Sequence, residues 1–184
     1  MKKCKVCKAA FTPTYNSMQA TCTSIDCIIA HAKLSRAKTD KAEIADMRKR
    51  TRTASWYRRE LQRVFNEYIR LRDRDKPCVS CGCDMKGRKG DASHYYSVGA
   101  YPNLRYNEYN VHMSCVSCNQ HRGGNLHEYR IRLPSRIGAD AYAELQRERH
   151  GKLRLTIPEL ENKLAYYRKL IKTLKYDNHK RETL

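Results

Sequence analysis

Three short stretches hold residues whose types could do chemistry. Asp91-Ala92-Ser93-His94-Tyr95 comes first and Asn107-Glu108-Tyr109-Asn110-Val111-His112 second; Asn119-Gln120-His121 directly follows a cysteine pair. Together they offer a carboxylate, imidazoles and an amide. Hard oxygen donors of this kind suit Mg²⁺ or Mn²⁺. A neutral imidazole close to such an ion can take a proton from water, while the ion offsets charge on a phosphodiester. Taken singly, each residue has an ordinary alternative. Asp91 suits a turn cap, Asn119 the close of a metal-binding turn, and His94 and His112 solvated or supporting roles. Their conjunction is what points to catalysis. Neither a Ser-His-Asp nor a Cys-His nucleophile is needed.

The nine cysteines need their own account. Cys4/Cys7, Cys78/Cys81 and Cys115/Cys118 are pairs with two intervening residues, and Cys22/Cys27 is a looser pair. A tight turn lets two such thiolates reach one tetrahedral ion. An odd count fits a disulfide framework poorly. The spacing therefore predicts two structural zinc sites, Cys4, Cys7, Cys22, Cys27 and Cys78, Cys81, Cys115, Cys118. A closed four-thiolate site leaves zinc no open position for chemistry. Cys83 is left over and could replace Cys81. Lys2, Lys3, Lys5 and Lys8 around the first site modestly favour nucleic acid. His31 is a spare ligand candidate on a polar helix.

Those stretches need elements to position them. Residues 28–50 are helix-compatible and basic with little apolar face, which suits a solvated arm. Tyr57, Leu61, Val64, Phe65, Tyr68 and Leu71 recur at helical steps within residues 55–74. Residues 78–127 are rich in turn formers and read as a hairpin with loops. A helix is predicted over residues 135–150, with Ile137, Ala141 and Leu145 on one face and Gly151 as its stop. Thr156 and Glu159 form a capping box for a last helix facing Leu160, Leu164, Tyr167, Ile171 and Leu174, a core or dimer stripe. Tyr95, Tyr96, Tyr101, Tyr106 and Tyr109 supply core where aliphatics are few, or stack on unpaired bases. Four segments result: residues 1–30, a knuckle; 31–77, basic and helical; 78–130, the chemical centre; and 131–184, helical.

The chain has 184 residues, 38 Lys and Arg against 19 Asp and Glu, and a formal charge of +19. Residues 28–77 alone carry fifteen basic residues against seven acidic. Such a balance points to phosphate, and Arg48, Lys49, Arg50, Arg52, Arg58 and Arg59 are the candidate DNA track. The alternative is a solvated face. Apolar runs are too short to span a membrane, and the opening MKKCKVCKAAF has no apolar signal core. An intracellular location with reduced thiols is expected.

The pattern C-V-S-C, D-A-S-H-Y, N-E-Y-N-V-H, C-V-S-C-N-Q-H resembles a zinc-anchored HNH (ββα-metal) nuclease. It looks most like the NinG/Rap family of lambdoid-phage recombination endonucleases, over most of the chain. It is also similar to the phage endonuclease VII type of Holliday-junction resolvase. The resemblance implies an α+β fold: a zinc-braced hairpin and helix, flanking helices and an N-terminal zinc knuckle. It implies His94 as general base, Asp91 and Asn119 as ligands of a catalytic Mg²⁺ or Mn²⁺, and Asn110 as the residue orienting the base's loop. His121 is a further catalytic candidate by the same resemblance, and His112 falls in the same stretch. The family commonly has glycine where Ser93 stands. The implied substrate is branched recombination DNA, D-loops and Holliday junctions, cut by a homodimer in the host cytoplasm. The competing class is a non-catalytic, zinc-containing nucleic-acid-binding protein on the same scaffold.

Overall fold

The computed structural model describes residues 1–182, and the side chains of Lys49, Arg181 and Glu182 lie outside the described residues. The chain gathers into two units, Met1–Arg52 and a second from Thr53 onward. In the first, β1 (Lys2–Lys3) pairs antiparallel with β2 (Ala10–Phe11) and is followed by α1 (Ile25–Arg50). Lys8 takes a left-handed φ of 64°, and its N–H donates to the Cys4 carbonyl at 3.0 Å, closing the cysteine turn. Ile28, Ile29, Leu34, Ile44 and Met47 of α1 stay exposed. A helix without a buried stripe is a solvated one, as its even scatter of charge predicts.

The second unit runs α2 (Ala54–Arg72), β3 (Gly90–His94), β4 (Val111–Cys115), α3 (Leu126–Ile137), α4 (Ala139–Glu148) and α5 (Ile157–Glu182). Thr53 caps α2 by accepting from the Trp56 N–H at 3.3 Å. The α2 stripe Tyr57, Leu61, Val64, Phe65, Tyr68 and Ile69 packs on Leu160, Leu164, Tyr167 and Ile171 of α5. Phe65 meets Tyr167 edge-on, ring centres 5.0 Å apart. The α5 stripe is therefore core within one chain, which removes it as a dimer seam. Its capping box is present: the Glu159 carboxylate accepts from the Thr156 N–H at 2.7 Å, and the Glu159 N–H reaches the Thr156 hydroxyl at 3.5 Å.

The single helix expected over residues 135–150 is instead two. Gly138 sits at φ 90° between them, a conformation that strains L side chains, so α3 ends there and α4 begins. The Gly138 N–H donates to the Pro134 carbonyl at 2.8 Å. Most of α3 lies before residue 135, where Pro134 masks the helical pattern. Tyr129 and Leu133 of α3 and Leu145 of α4 form a second core with Val79 and Leu104, and Tyr95, Tyr96, Tyr101 and Tyr142 pack on it. Four of the five tyrosines are thus packed, Tyr106 in the α2–α5 core; Tyr109 is exposed.

β3 and β4 are antiparallel, with Asp91 opposite Ser114, Ser93 opposite His112 and His94 opposite Val111. Strand alternation puts Ala92, His94, Val111 and Met113 on one face and Asp91, Ser93, His112 and Ser114 on the other. Ala92 and Val111 join the α2–α5 core. Asp73, at the end of α2, ties that helix to β4: its buried carboxylate accepts from the Met113 N–H at 3.1 Å and from Arg72 at 2.7 Å. Arg72 also donates to the Val111 carbonyl at 2.8 Å. Among the described residues no helix is long and apolar enough to cross a membrane.

Candidate functional site

β4 ends at Cys115, and a π-helical turn, Ser117–His121, follows at once. That turn carries Asn119 and Gln120 to β3. Asn119 Nδ2 donates to Asp91 Oδ2 at 3.0 Å, and Gln120 Nε2 donates to the same oxygen at 2.8 Å. One carboxylate and two side-chain amides therefore converge, half-buried or exposed. Turning either amide presents its carbonyl oxygen beside the carboxylate. This hard-oxygen set, open to water, fits Mg²⁺ or Mn²⁺ better than zinc. Gln120 was not singled out in the sequence; its only signal is its place next to Asn119.

His94 ends β3 with Nε2 3.0 Å from the Arg105 carbonyl oxygen. A carbonyl only accepts, so Nε2 carries the proton and Nδ1 keeps its lone pair. Burial holds the ring's pKa below the ordinary histidine value, and the Arg105 charge pushes the same way against that hydrogen bond. Arg105 is itself anchored, its Nε donating to Gln62 Oε1 of α2 at 2.7 Å. His94 is thus a neutral imidazole in a fixed tautomer. Asp91 and His94 lie on opposite faces of β3, so any water shared between them has to sit at the strand's end.

Asn110 is fully buried, and its amide is spent on backbone. Its Oδ1 accepts from the Tyr96 N–H at 2.8 Å, and its Nδ2 donates to the Tyr96 and Leu104 carbonyls at 3.0 and 3.1 Å. It clasps the loop between His94 and Arg105 and touches nothing that could react. These are the contacts of a residue that holds the loop in place. His112 is also buried, with Nδ1 3.2 Å from the Tyr129 hydroxyl of α3. Tyr129 in turn donates to the Ser93 carbonyl at 3.2 Å. Burial, helped by the nearby Arg72 charge, pushes the His112 pKa down to about 3 against the pull of Asp73. His121 is exposed at the end of the turn. Ser93 is buried at 2% exposure, with its hydroxyl beside Gly124.

Both cysteine clusters exist. The Sγ atoms of Cys4, Cys7, Cys22 and Cys27 all lie within 4.8 Å of one another. The second converging set is Cys78, Cys81, Cys83 and Cys115, on the same criterion. Cys83 thus joins the set, and Cys118 stays against it, its thiol hydrogen-bonded to those of Cys115 and Cys81. The reason is local: the Cys78 N–H donates to the Cys83 carbonyl at 2.9 Å and folds Cys83 inward. Cys118 borders the cluster, its N–H on Cys115 Sγ at 3.4 Å and its sulfur accepting from Asn125 at 3.7 Å. Burial and neighbouring thiols push Cys83 and Cys27 each up to about 12. So many thiols cannot ionise together without a cation, and tetrahedral thiolate sets fit zinc.

The proposed basic track is divided. Arg48, Arg50 and Arg52 belong to the first unit, where Arg50 pairs with Asp46 at 2.8 Å. Arg58 and Arg59 are exposed on α2 in the second. The Lys49 side chain lies outside the described residues.

The fold and site define an α+β protein with two cysteine clusters that could each hold a metal ion and a carboxylate–amide centre on a β-hairpin. A family model described as Bacteriophage Lambda NinG protein matches residues 1–177, so the chain belongs to the NinG family. It is 35% identical to "Protein ninG" of Escherichia phage 933W, over 95% of this chain and 94% of that protein. It is 42% identical to "Protein ninG" of Escherichia phage lambda over 74% of this chain and 65% of that protein. The Salmonella phage P22 protein of the same name is 40% identical over the same shares. No solved structure matches.

Proposed function

We propose that this protein is a metal-dependent DNA endonuclease of HNH type, cutting branched recombination intermediates such as D-loops and Holliday junctions. The observation that carries the reading is the meeting of Asp91 and Asn119, 28 residues apart, at 3.0 Å on a cysteine-braced hairpin. Asp91, Asn119 and Gln120 would hold Mg²⁺ or Mn²⁺, which supplies charge stabilisation to a phosphodiester. His94 Nδ1 takes the proton from the attacking water, and the Arg105 carbonyl keeps the ring in the required tautomer. Asn110 holds the His94–Arg105 loop closed. The thiolate clusters brace the frame and take no part in hydrolysis. A symmetric junction suits a symmetric dimer that places one nick on each side of the branch.

The test is cleavage of a four-way DNA junction and of its linear arms with Mg²⁺ or Mn²⁺, beside an EDTA control. Ion-dependent nicking concentrated at the branch is the expected result. Binding without nicking, in any divalent ion, would leave the non-catalytic nucleic-acid-binding reading in its place.

A further inference from the structure

A cleft in the second unit is lined by Arg70, Arg74, Lys86, Arg88 and Lys89, together with Asp91 and Gln120. Arg74 sits beside Asp75, its Nε 3.6 Å from that carboxylate. Among the described residues, Arg70, Lys86, Arg88 and Lys89 are in no ion pair. Three of these cations come from one turn built to hold them. The Lys86 N–H donates to Asp84 Oδ1 at 2.9 Å, and the Arg88 N–H donates to the Met85 carbonyl at 3.0 Å. Gly87 supplies the left-handed φ of 69° that the turn needs. Met85 is buried against Met113, Cys78 and Cys118, which pins the turn to the second cysteine cluster. Gly90 closes it, because a Cβ there would lie 2.6 Å from Met113 Cγ.

We infer that this turn and the α2 end opposite it form the phosphate track of the protein, leading a DNA strand along Arg70, Lys86, Arg88 and Lys89 to Asp91. Because the turn's backbone is already fixed, meeting phosphate orders only the side chains, and each contact releases condensed counterions. The track's direction rests on the nuclease reading above; its binding role does not.

The experiment is fluorescence anisotropy of a labelled four-way junction in zinc-retaining buffer without added Mg²⁺ or Mn²⁺, across a salt series. It compares wild type, the triple variant Lys86→Ala/Arg88→Ala/Lys89→Ala, and a control triple Lys152→Ala/Lys169→Ala/Lys172→Ala of equal charge loss. Zinc content and melting temperature verify that each is folded. The turn variant should bind about tenfold weaker or worse near 0.1 M salt, with a salt slope flatter by about two to three. The control should lose less than half as much. Equal losses in the two triples, or none in the turn variant, would overturn the track. Cleavage assays on the same proteins separate the two readings. If wild type fails to cut while the turn variant loses binding, the nuclease reading falls and the track stands. If the turn variant binds and cuts like wild type, the track falls alone.

Discussion

At the scale of single residues, His94 and Asn110 are asked to do different things. His94→Ala removes the proposed base and leaves the cysteine clusters and the cationic turn intact. It should keep zinc and junction affinity and lose about 10²–10⁴ in cleavage rate, measured under single-turnover conditions. Because burial depresses the His94 pKa, the neutral form is already dominant at neutral pH. Wild-type activity should therefore rise with pH along a limb centred below the ordinary histidine value and be flat from pH 7 upward. A limb centred above that value would count against His94. Asp91→Ala should fail by losing the ion, so raised Mn²⁺ would restore part of its activity and none of that of His94→Ala. Asn110→Ala leaves the Tyr96 N–H and carbonyl unpaired, while the Leu104 carbonyl keeps the Asn107 N–H at 3.2 Å, at about 1–3 kcal/mol for each buried group left without a partner. It should lower the urea midpoint as well as activity, whereas His94→Ala should leave stability near wild type.

Individual elements carry two buried ionisable groups that hold the hairpin in place. The Asp73 carboxylate is held down to about 2 by Arg72 against the cost of burial. Asp73→Ala would strip the Arg72 guanidinium of its buried carboxylate, leaving it the Val111 and Glu108 carbonyls, and would leave the Met113 N–H without its acceptor. A loss on the order of 3–5 kcal/mol is expected in denaturant unfolding, as for other broken buried pairs. His112 acts in the neutral form, with its folded pKa far below the unfolded value. Between about pH 6.5 and 3 the unfolded chain binds a proton that the folded chain refuses, so stability falls as pH drops through that window. With zinc in excess, the melting temperature of His112→Gln should change less between pH 7 and 5 than that of wild type. Parallel curves would remove His112 as a source of acid sensitivity.

For the whole molecule, the expectation is that both cysteine clusters hold metal. Metal analysis in reducing buffer should find about two zinc per chain, one for each converging cluster. Cys83→Ser should reduce the count toward one, and Cys118→Ser should not; the opposite pattern would return the fourth ligand to Cys118. Strong chelation should unfold the first unit, because zinc affinity in such sites is folding free energy. It should also loosen the Lys86–Lys89 turn, which is pinned through Met85 to the second cluster.

Sequence alone determined what rests on local rules. Helical spacing placed α2 and α5 and named nearly all of their buried stripe. The Thr156–Glu159 pair marked the α5 cap, cysteine spacing gave two clusters, and motif types drew attention to Asp91, His94, Asn110 and Asn119. Tertiary structure decided what depends on neighbours distant in the chain. Gly138 broke a helix that Pro134 had already masked, since a left-handed residue ends a helix whatever its flanking pattern. A backbone hydrogen bond brought Cys83 into the second cluster, which spacing cannot report. The tautomer of His94 is set by the carbonyl of Arg105, and a main-chain oxygen carries no sequence signal. His112 and His94 are alike as letters, yet one is sealed beneath Tyr129 and the other ends a strand. The cations nearest Asp91 lie in the segment with the weakest charge excess, because proximity to the site depends on the fold of one turn and not on how many charges a segment holds.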